Sequence, residues 1–350
     1  MNILNQPLLT IGIPVYNGER FIRQTMESLL PQLTPEILKS VEVIISDNCS
    51  TDATGNLALE YTNNYDNHIR YFRNDRNYFY DGNIDLVVER SLGKYVWLLG
   101  CGEIVKPDAL ELILRHLENN DYDNILLGFD IYSEITKQIE SVNSTSVTEE
   151  KIFYDKNDFL NCCGLTSISA VSINIVAKSS WERVSLLPLR EVGWCHVERI
   201  KDILFSENYR ATLVIPNQCF TLYREVEGWW SVGDALLVNT LKFALIVQST
   251  KCSSTSKWYR LFFEQLYPIR LVNLIIKSKK MDSKFSITKF KMVARLFYRY
   301  LSFWLVIVPI LILPNIVFRN NFLMACGKTI FQKCRWVYKL LKKNSCINVK

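Results

Sequence analysis

The sequence predicts an α/β fold whose core is a mostly parallel, open sheet. Strand and helix patterns alternate through the first 125 of the 350 residues, which is typical of a parallel sheet. Two apolar strand patterns also end in polar, turn-forming residues, one in Tyr16-Asn17 and the other in Asp47-Asn48. Such residues at the carboxyl ends of strands line the crevice in which these sheets bind ligands. A ligand site at that edge of the sheet is therefore expected.

Each element of the first 125 residues follows from the spacing of apolar residues and from the residues that flank them. The predicted strands are Leu8–Pro14, Val41–Ser46, Ile69–Arg73 and Tyr95–Leu99. The predicted helices are Gly18–Leu30, Thr51–Tyr61, Ile84–Arg90 and Pro107–Glu118. The last of these starts with a proline, which is favoured in the first turn of a helix.

The remaining chain is less regular until it becomes mainly helical near Leu236. Three strands and one helix are predicted before that point: Ile125–Tyr132, Ser167–Ala177, Thr212–Ile215 and the helix Cys195–Phe205. The predicted domain bounds are 1–125, 126–240 and 241–350, with Lys251–Ser256 as a linker. The ten cysteines show no metal-ligand spacing, so free thiols in the cytoplasm are expected rather than a zinc site. No N-terminal secretory signal is recognisable.

The C-terminal region has a strong excess of positive charge. Residues 277–350 contain 16 of the chain's 41 Lys and Arg but only one of its 35 Asp and Glu. Such a basic appendage indicates an anionic partner, either nucleic acid or a membrane surface. The uncharged run 300–318 favours the membrane, because it approaches the length of about 20 apolar residues that a span needs. Pro309 and Pro314 interrupt it, so an interfacial segment, a true span and a buried core helix all remain open.

The two strand ends carry a resemblance to a known family. Pro14-Val15-Tyr16-Asn17 and the later Ser46-Asp47-Asn48-Cys49-Ser50-Thr51-Asp52 resemble the nucleotide-sugar half of family 2 glycosyltransferases, which have the Rossmann-like GT-A fold. Residues 73–77, 81–83 and 92–100 continue the resemblance. Within the family, these segments are most similar to those of the abequosyltransferase-like branch of bacterial surface-polysaccharide enzymes. The resemblance covers residues 8–120 well and 165–230 weakly.

The resemblance implies a donor site for a nucleotide diphosphate sugar. Asp47 would accept a hydrogen bond from the nucleobase or the ribose, and Tyr16 would stack on the nucleoside. The bland alternative is that Asp47 and its neighbours only form a turn and cap the next helix. The full set of predicted nucleotide contacts is Pro14, Tyr16, Asn17, Glu19, Asp47, Asn48, Asn77, Asn83 and Arg224. Phe79 stands where the family usually has glycine, which is expected to alter the loop around the donor.

The metal motif of the family is reduced in this chain. Members usually carry Asp-x-Asp after the Trp-Leu-Leu-Gly strand, where its acids bind Mg²⁺ or Mn²⁺, but this chain has Cys101-Gly102-Glu103. Glu103 is thus the one predicted metal ligand, since a thiol is a poor ligand for a hard cation. Three explanations compete: a low-affinity metal site, metal-independent transfer helped by Arg76 or Arg224, and an inactive site.

An inverting transferase also needs a base that takes the proton of the acceptor hydroxyl. The family places an acid at the start of a helix in the acceptor half, and the matching stretch here is Gly193–Arg199. His196 is the predicted base, with Glu198 and Asp202 as the other candidates. The alternative is a histidine that is structural or simply exposed on the surface.

The resulting prediction is an inverting hexosyl- or deoxyhexosyltransferase of bacterial O-antigen or capsule biosynthesis. It would use a lipid-linked glycan acceptor at the cytoplasmic face of the inner membrane, through a basic, membrane-associated helical tail and without a nucleic acid partner. The main rival is a catalytically degenerate relative that binds glycan or serves as a scaffold. A nucleotidyltransferase is less favoured, because no Gly-rich basic phosphate loop follows the first strand.

Overall fold

The computed structural model describes residues 6–65, 68–118, 120–133, 136–142, 147–184, 193–224, 233–250, 257–266, 269–280, 287–300 and 303–313. The chain divides into two compact units, Met1–Val226 and Glu227–Lys350. The first unit contains the sheet, and the second is helical in its described part.

The ten described strands of the first unit form one mixed sheet. They are β1 Leu9–Val15, β2 Val41–Asp47, β3 Ile69–Arg73, β4 Tyr95–Leu98, β5 Ile104–Val105, β6 Asn124–Ser133, β7 Gln138–Val142, β8 Lys151–Phe153, β9 Asn174–Ala177 and β10 Thr212–Arg224. The order is β3-β2-β1-β4-β9-β6-β10-β5, with β7 beside β6 and β8 beside β10. Leu9, Ile11 and Ile13 of β1 are fully buried, as a central strand covered on both faces requires.

The strand directions bring the carboxyl ends of six strands to one edge of the sheet. β1 runs parallel to β2 and β4, and β2 runs parallel to β3. β9 is antiparallel to both β4 and β6, while β6 is parallel to β10. Strands β6 and β10 therefore point the same way as β1 to β4. The sheet is mixed rather than mostly parallel, because β5, β7, β8 and β9 are antiparallel to the strands with which they pair.

The helices of the first unit pack on this sheet. They are α1 Ile22–Leu29, α2 Thr54–Asn64, α3 Phe79–Arg90, α4 Ala109–Glu118, α5 Lys156–Cys162, α6 Lys178–Arg183 and α7 Cys195–Leu204. The predicted helix at Ile84 begins five residues earlier in the structure. The predicted strand Ser167–Ala177 is wrong in its first half, which is a 3₁₀ turn, Leu165–Ile168. The Asn174 side chain donates to the carbonyls of Ile168 and Ala170 at 3.1 and 2.7 Å and thereby holds that turn.

β10 is much longer than the predicted strand Thr212–Ile215, because it continues past a proline. Pro216 lacks a backbone N–H and so interrupts the pairing with β6, whose register shifts between Ile215 and Gln218. Gly128 of β6 makes room for this bulge. A Cβ at Gly128 would lie 2.2 Å from the Pro216 carbonyl oxygen.

The second unit has five described helices around an apolar core. They are α8 Gly233–Ser249, α9 Lys257–Leu266, α10 Ile269–Lys280, α11 Ile287–Phe297 and α12 Val308–Ile312, the last preceded by the π-helical turn Phe303–Ile307. Phe303, Ile307 and Leu311 pack into the core of this unit. The predicted linker Lys251–Ser256 and the end of the run 300–318 lie outside the described residues. Among the helices that are described, none is long and apolar enough to cross a membrane.

Candidate functional site

Asp47 lies at the carboxyl end of β2 and is fully buried. Its Oδ2 accepts hydrogen bonds from the Tyr71 hydroxyl at 2.7 Å and from Arg73 Nη1 at 2.9 Å. Its Oδ1 accepts from the Ser50 backbone N–H at 2.8 Å. Arg73 also donates to the Ser50 carbonyl at 2.8 Å. The carboxylate is thus held rigidly at the crevice by an arginine and a tyrosine.

Sequence reasoning missed Tyr71 and Arg73 as partners of Asp47. Arg73 is the cross-strand partner of Asp47 in the β2–β3 register, and aligning the carboxyl ends of the two predicted strands would have placed it within one residue of Asp47. Burial and the hydrogen bond to Asp47 raise the pKa of Tyr71, so its hydroxyl stays protonated and donates. The hydrogen bond with Tyr71 and the Asp47 charge raise the pKa of Arg73, which stays cationic.

The loop after β1 is joined to the start of α2 by hydrogen bonds. Asn17 has φ 51°, donates through its backbone N–H to Ser50 Oγ at 2.9 Å, and accepts from the Thr51 N–H at 2.8 Å. Glu19 Oε2 accepts from the Ala53 N–H at 2.9 Å. These two predicted nucleotide contacts therefore help to shape the crevice wall. Tyr16, beside them, is 50% exposed and its ring is available for stacking.

Three further predicted contacts, Asn48, Asn77 and Asn83, belong to one hydrogen-bond network. The Asn74 side chain donates to both Asn48 and Asn83 in this network, and Asn77 is its exposed member. Asn48 donates to Asn77 Oδ1 at 2.8 Å and to the Phe79 carbonyl at 2.9 Å, and it accepts from the Tyr78 N–H at 2.8 Å. Asn83 accepts from Ser46 Oγ at 2.8 Å and donates to the Ser46 carbonyl at 3.0 Å. The network fixes the segment after β3 against the end of β2.

Pro14 and Phe79 complete this side of the crevice. Pro14 lies within β1, opposite Ser46 of β2. Phe79 is the first residue of α3 and adopts φ 59° with a 57% exposed side chain. The left-handed conformation at Phe79 explains why glycine suits this position, since a side chain there is strained.

Glu103 lies in the loop between β4 and β5, beside Ser172. The Gly100 N–H donates to Ser172 Oγ at 2.9 Å, and the Ser172 side chain also hydrogen-bonds the Glu103 carboxyl group. Oε2 of Glu103 is buried and has no hydrogen-bond partner among the described residues. Burial raises the pKa of Glu103 to about 8. Glu103 is therefore a neutral acid near pH 7 with one oxygen free for a ligand.

The residues around Glu103 do not make a complete metal site. In the part of the chain that the structure describes, no three His, Cys, Asp or Glu side chains form a group that could hold a metal ion. Burial raises the pKa of Cys101 to about 12, so its thiol is protonated and is not a ligand. The free oxygen of Glu103 fits one ligand position of a divalent cation whose other ligands come from phosphates and water.

His196 lies in the first turn of α7, where it is 2% exposed. Its Nε2 is 3.0 Å from the Ser169 carbonyl oxygen. A carbonyl only accepts, so Nε2 carries the proton and Nδ1 has the free lone pair. Nδ1 is buried without a hydrogen-bond partner among the described residues. Burial lowers the pKa of His196 to about 4, so the ring is neutral near pH 7 and is a weaker base than an exposed histidine.

Asp81 positions the start of α7. Its carboxylate oxygens accept from the Gly193 N–H at 2.8 Å and the Cys195 N–H at 3.1 Å. The Trp194 and Tyr80 rings lie 6.1 Å from the His196 ring. Asp81 and Tyr80 come from the start of α3, which thus connects the Asp47 side of the site to His196.

The two other predicted site residues are Glu198 and Arg224. Glu198 is half-buried one turn into α7. Arg224 ends β10, where it pairs with Ser133 of β6, and its side chain lies outside the described residues. Just before it, Tyr223 stacks on Tyr132 with ring centroids 5.2 Å apart. This aromatic pair lies at the same edge of the sheet as Asp47.

Comparison with solved structures defines the class of this fold. The chain resembles Staphylococcus aureus TarS 1–349 in complex with UDP, with TM-score 0.55 and 14% identity over 79% of this chain and 81% of that one. It also resembles the mannosyltransferase PcManGT from Pyrobaculum calidifontis in complex with GDP-Man and Mn²⁺, with TM-score 0.52 and 13% identity over 88% and 86% of the two chains. The fold is that of the GT-A glycosyltransferases, as predicted.

Sequence comparison then gives the family. Residues 10–174 match the family model described as "Glycosyl transferase family 2", and the chain therefore contains a domain of that family. Abequosyltransferase RfbV of Salmonella typhimurium is 30% identical over 112 residues, which are 32% of this chain and 33% of that protein. TuaG of Bacillus subtilis, named for teichuronic acid biosynthesis, is 29% identical over 161 residues, which are 45% and 60% of the two chains. The matched region thus spans between a third and three-fifths of these relatives.

Proposed function

We propose that this protein transfers a sugar from a nucleotide diphosphate donor to a glycan. The observation that carries this proposal is the buried carboxylate of Asp47 at the carboxyl edge of the sheet, oriented by Arg73 and flanked by the exposed ring of Tyr16. A carboxylate has about four lone-pair positions, and three donors occupy those of Asp47. In this proposal the remaining position accepts from a nucleobase N–H or a ribose hydroxyl, which must reach a side chain that is fully buried in the free protein. The family match supports the same assignment.

The diphosphate of the donor would lie between Asp47 and the loop Gly100–Glu103. In this position Glu103 would give one oxygen to a Mg²⁺ or Mn²⁺ ion, which would offset the charge of the diphosphate. Because its carboxyl group holds a proton near pH 7, cation binding must displace that proton. A weak, pH-dependent metal requirement follows, and Arg224 or Arg76 would supply positive charge in its absence.

His196 is the base in this proposal. The hydrogen bond of its Nε2 to Ser169 leaves Nδ1 as the atom that takes the proton of the acceptor hydroxyl. The Trp194 and Tyr80 rings lie next to His196, and they would form the part of the site that the acceptor contacts. The activated hydroxyl would attack the anomeric carbon of the sugar while the bond to the diphosphate oxygen breaks and the nucleoside diphosphate leaves from the opposite face, which would invert the configuration at that carbon. Glu198 is the second candidate for the base.

The acceptor in this proposal is a lipid-linked glycan of O-antigen or capsule type, at the cytoplasmic face of the bacterial inner membrane. Trp304, Leu305 and Ile312 of the second unit are 53%, 59% and 74% exposed, although they are apolar and belong to a basic part of the chain. Exposed apolar side chains near Lys and Arg favour the surface of an anionic membrane. A peripheral segment with one face in the bilayer interface agrees better with this pattern than a span does.

The reduced metal motif favours a second candidate, a non-catalytic relative that binds glycan or serves as a scaffold. The two candidate functions differ because only a glycosyltransferase would cleave the nucleotide diphosphate sugar. The full-length protein would be incubated with UDP-, GDP-, CDP- and dTDP-sugars, with and without Mn²⁺, and release of the nucleoside diphosphate would be measured. We expect slow release for one nucleotide class that falls at least about tenfold in His196→Ala, by the usual size of a general-base contribution. Binding without release by any class would favour the scaffold.

A further inference from the structure

Phe79 has a backbone conformation that its side chain makes unfavourable. Its φ of 59° lies in the left-handed region, which is unfavourable for a residue with a Cβ. Among the described residues, five that are not glycine have positive φ, and Asn17, Cys49 and Phe79 are the three that follow the ends of β1, β2 and β3. Such strain persists mainly where a function requires it.

Packing within the described part of the chain does not account for the Phe79 ring. The side chain is 57% exposed, and no ring stacking or cation–π contact with a described residue involves it. Its neighbour Tyr78 differs, because the Arg76 guanidinium lies 4.8 Å from the centroid of the Tyr78 ring. Strain and exposure are both unfavourable in the free protein, so a gain on ligand binding would explain why a phenylalanine is present.

The position of Phe79 indicates which ligand group it would meet. The Phe79 carbonyl accepts from the Asn48 side chain at 2.9 Å, and the Asn48 N–H donates to the Val15 carbonyl at 2.8 Å. Asn48 thus connects Phe79 with Val15, the residue before Tyr16, and is itself the residue after Asp47. The two exposed aromatic residues are therefore both linked to the backbone around the carboxylate that we assign to the nucleoside.

We propose that Phe79 stacks on the nucleobase of the donor as a second aromatic contact beside Tyr16. The proposal rests on the proposed function and extends it, because it assigns the recognition of a planar base to a residue at which the family usually has glycine.

The experiment is calorimetric binding of UDP, GDP, CDP and dTDP to the full-length wild type and four variants, with thermal unfolding of each. Phe79→Gly and Phe79→Leu should weaken binding about tenfold, which is within the range for loss of one base–aromatic stack. Phe79→Tyr should keep the affinity. Phe79→Gly should also raise the midpoint of thermal unfolding by about 2–4 °C, because it relieves the backbone strain.

Lys137→Gly is the matched control, because Lys137 also has positive φ (54°) but lies in the turn between β6 and β7. It should raise the unfolding midpoint without changing nucleotide affinity. If the wild type binds a nucleotide and Phe79→Gly binds it equally well, the stacking proposal is wrong and the proposed function stands. If the wild type binds none of the four nucleotides, the stacking proposal and the proposed function are both wrong.

Discussion

Polar residues at the carboxyl edge of the sheet divide into two groups at the residue scale. Asn48 and Asn83 are 3% exposed and have their amide groups bonded to neighbouring residues, so they hold the crevice in shape. Glu103 differs, because its Oε2 has no hydrogen-bond partner among the described residues. Asp47 has three donors for its roughly four lone-pair positions. Predicted nucleotide contacts of the first group are therefore expected to act on binding through the geometry of the loops.

Glu103 gives a pH-dependent prediction. Burial raises its pKa from an ordinary 4.5 to about 8 in the folded protein, so the folded state holds the proton more tightly than the unfolded chain does. The contribution of this group to stability is complete below about pH 4.5 and is lost as the pH rises to about 8. Glu103→Gln stays neutral, so its free energy of unfolding should fall less over this interval in urea titrations.

The comparison variant for Glu103→Gln is Glu111→Gln, a change on helix α4 at an exposed position. It should follow the pH dependence of the wild type. Equal pH dependence in wild type and Glu103→Gln would show that Glu103 is ionised in the folded protein at neutral pH, contrary to the buried neutral acid described above.

At the scale of elements, the sequence predicted β1 to β4 because their apolar runs are long and the chain alternates regularly. It did not predict β5, β7 and β8, which are two to five residues long. β5 and β8 pair with the distant strand β10, and β7 pairs with β6, which directly precedes it. The extension of β10 was missed since Pro216 is a signal for a strand end, and its bulge depends on Gly128 in another strand. The apolar pattern of a single segment does not indicate which distant strand it will pair with.

In the candidate site, the sequence likewise predicted the residues that follow predicted strands and missed those that depend on pairing between distant parts of the chain. Asp47 and Tyr16 follow predicted strands and were recognised, whereas Arg73 became a partner of Asp47 only through the β2–β3 register. Asp81 shows the limit most clearly. It lies at the start of α3 and binds the N-terminus of α7, more than a hundred residues later, a pairing that no spacing in the sequence reveals.

The contact of Asp81 with α7 gives a prediction for that helix. Asp81→Ala would leave the Gly193 and Cys195 N–H groups without their acceptor, and loss of a helix N-terminal cap costs about 1–2 kcal/mol. Because His196 lies in the same turn, the rate of nucleoside diphosphate release should fall as well. Denaturant unfolding and release of nucleoside diphosphate would be measured on the same preparations.

Asp155 provides the control, since it caps α5 through the Asn157 and Asp158 N–H groups at 2.7 and 3.1 Å. Asp155→Ala should lower the free energy of unfolding by a similar amount and leave the rate of nucleoside diphosphate release unchanged. A rate that falls equally in both variants would mean that general destabilisation, rather than the position of His196, explains the effect.

At the scale of the whole molecule, the two units differ in the surface chemistry that they carry. The first unit holds the crevice with Asp47, Glu103 and His196. In the second, the turn Phe303–Ile307 and α12 bury Phe303 and Ile307 in the core of that unit but leave other apolar side chains exposed. A run that is apolar on both faces is unusual for a helix in water. This supports the proposal that the exposed face meets a membrane.

The membrane proposal predicts an effect of the exposed apolar face on vesicle binding. Trp304→Ser combined with Leu305→Ser should weaken binding to phosphatidylglycerol–phosphatidylcholine vesicles at least about tenfold, from the apolar area no longer buried. Higher salt should weaken binding of the wild type, because Lys and Arg contribute. Co-sedimentation measures both effects.

Leu261→Ser is the control for the vesicle experiment. Leu261 is 40% exposed on α9, outside the run 300–318, so this change should leave vesicle binding as it is in the wild type. Wild-type protein that fails to sediment with anionic vesicles would contradict the membrane proposal while leaving the donor site untouched.

The most direct test of the central claim is nucleotide binding by wild type, Asp47→Asn and Glu42→Gln in a calorimeter. Glu42 is the matched control, a buried acid at the other end of β2 whose carboxylate accepts from Arg70 at 2.7 Å. We expect wild type and Glu42→Gln to bind one class of nucleoside diphosphate equally, and Asp47→Asn to lose about tenfold or more in affinity with the charged hydrogen bond. Equal affinity in all three proteins, or no binding by wild type, would contradict a donor site at Asp47.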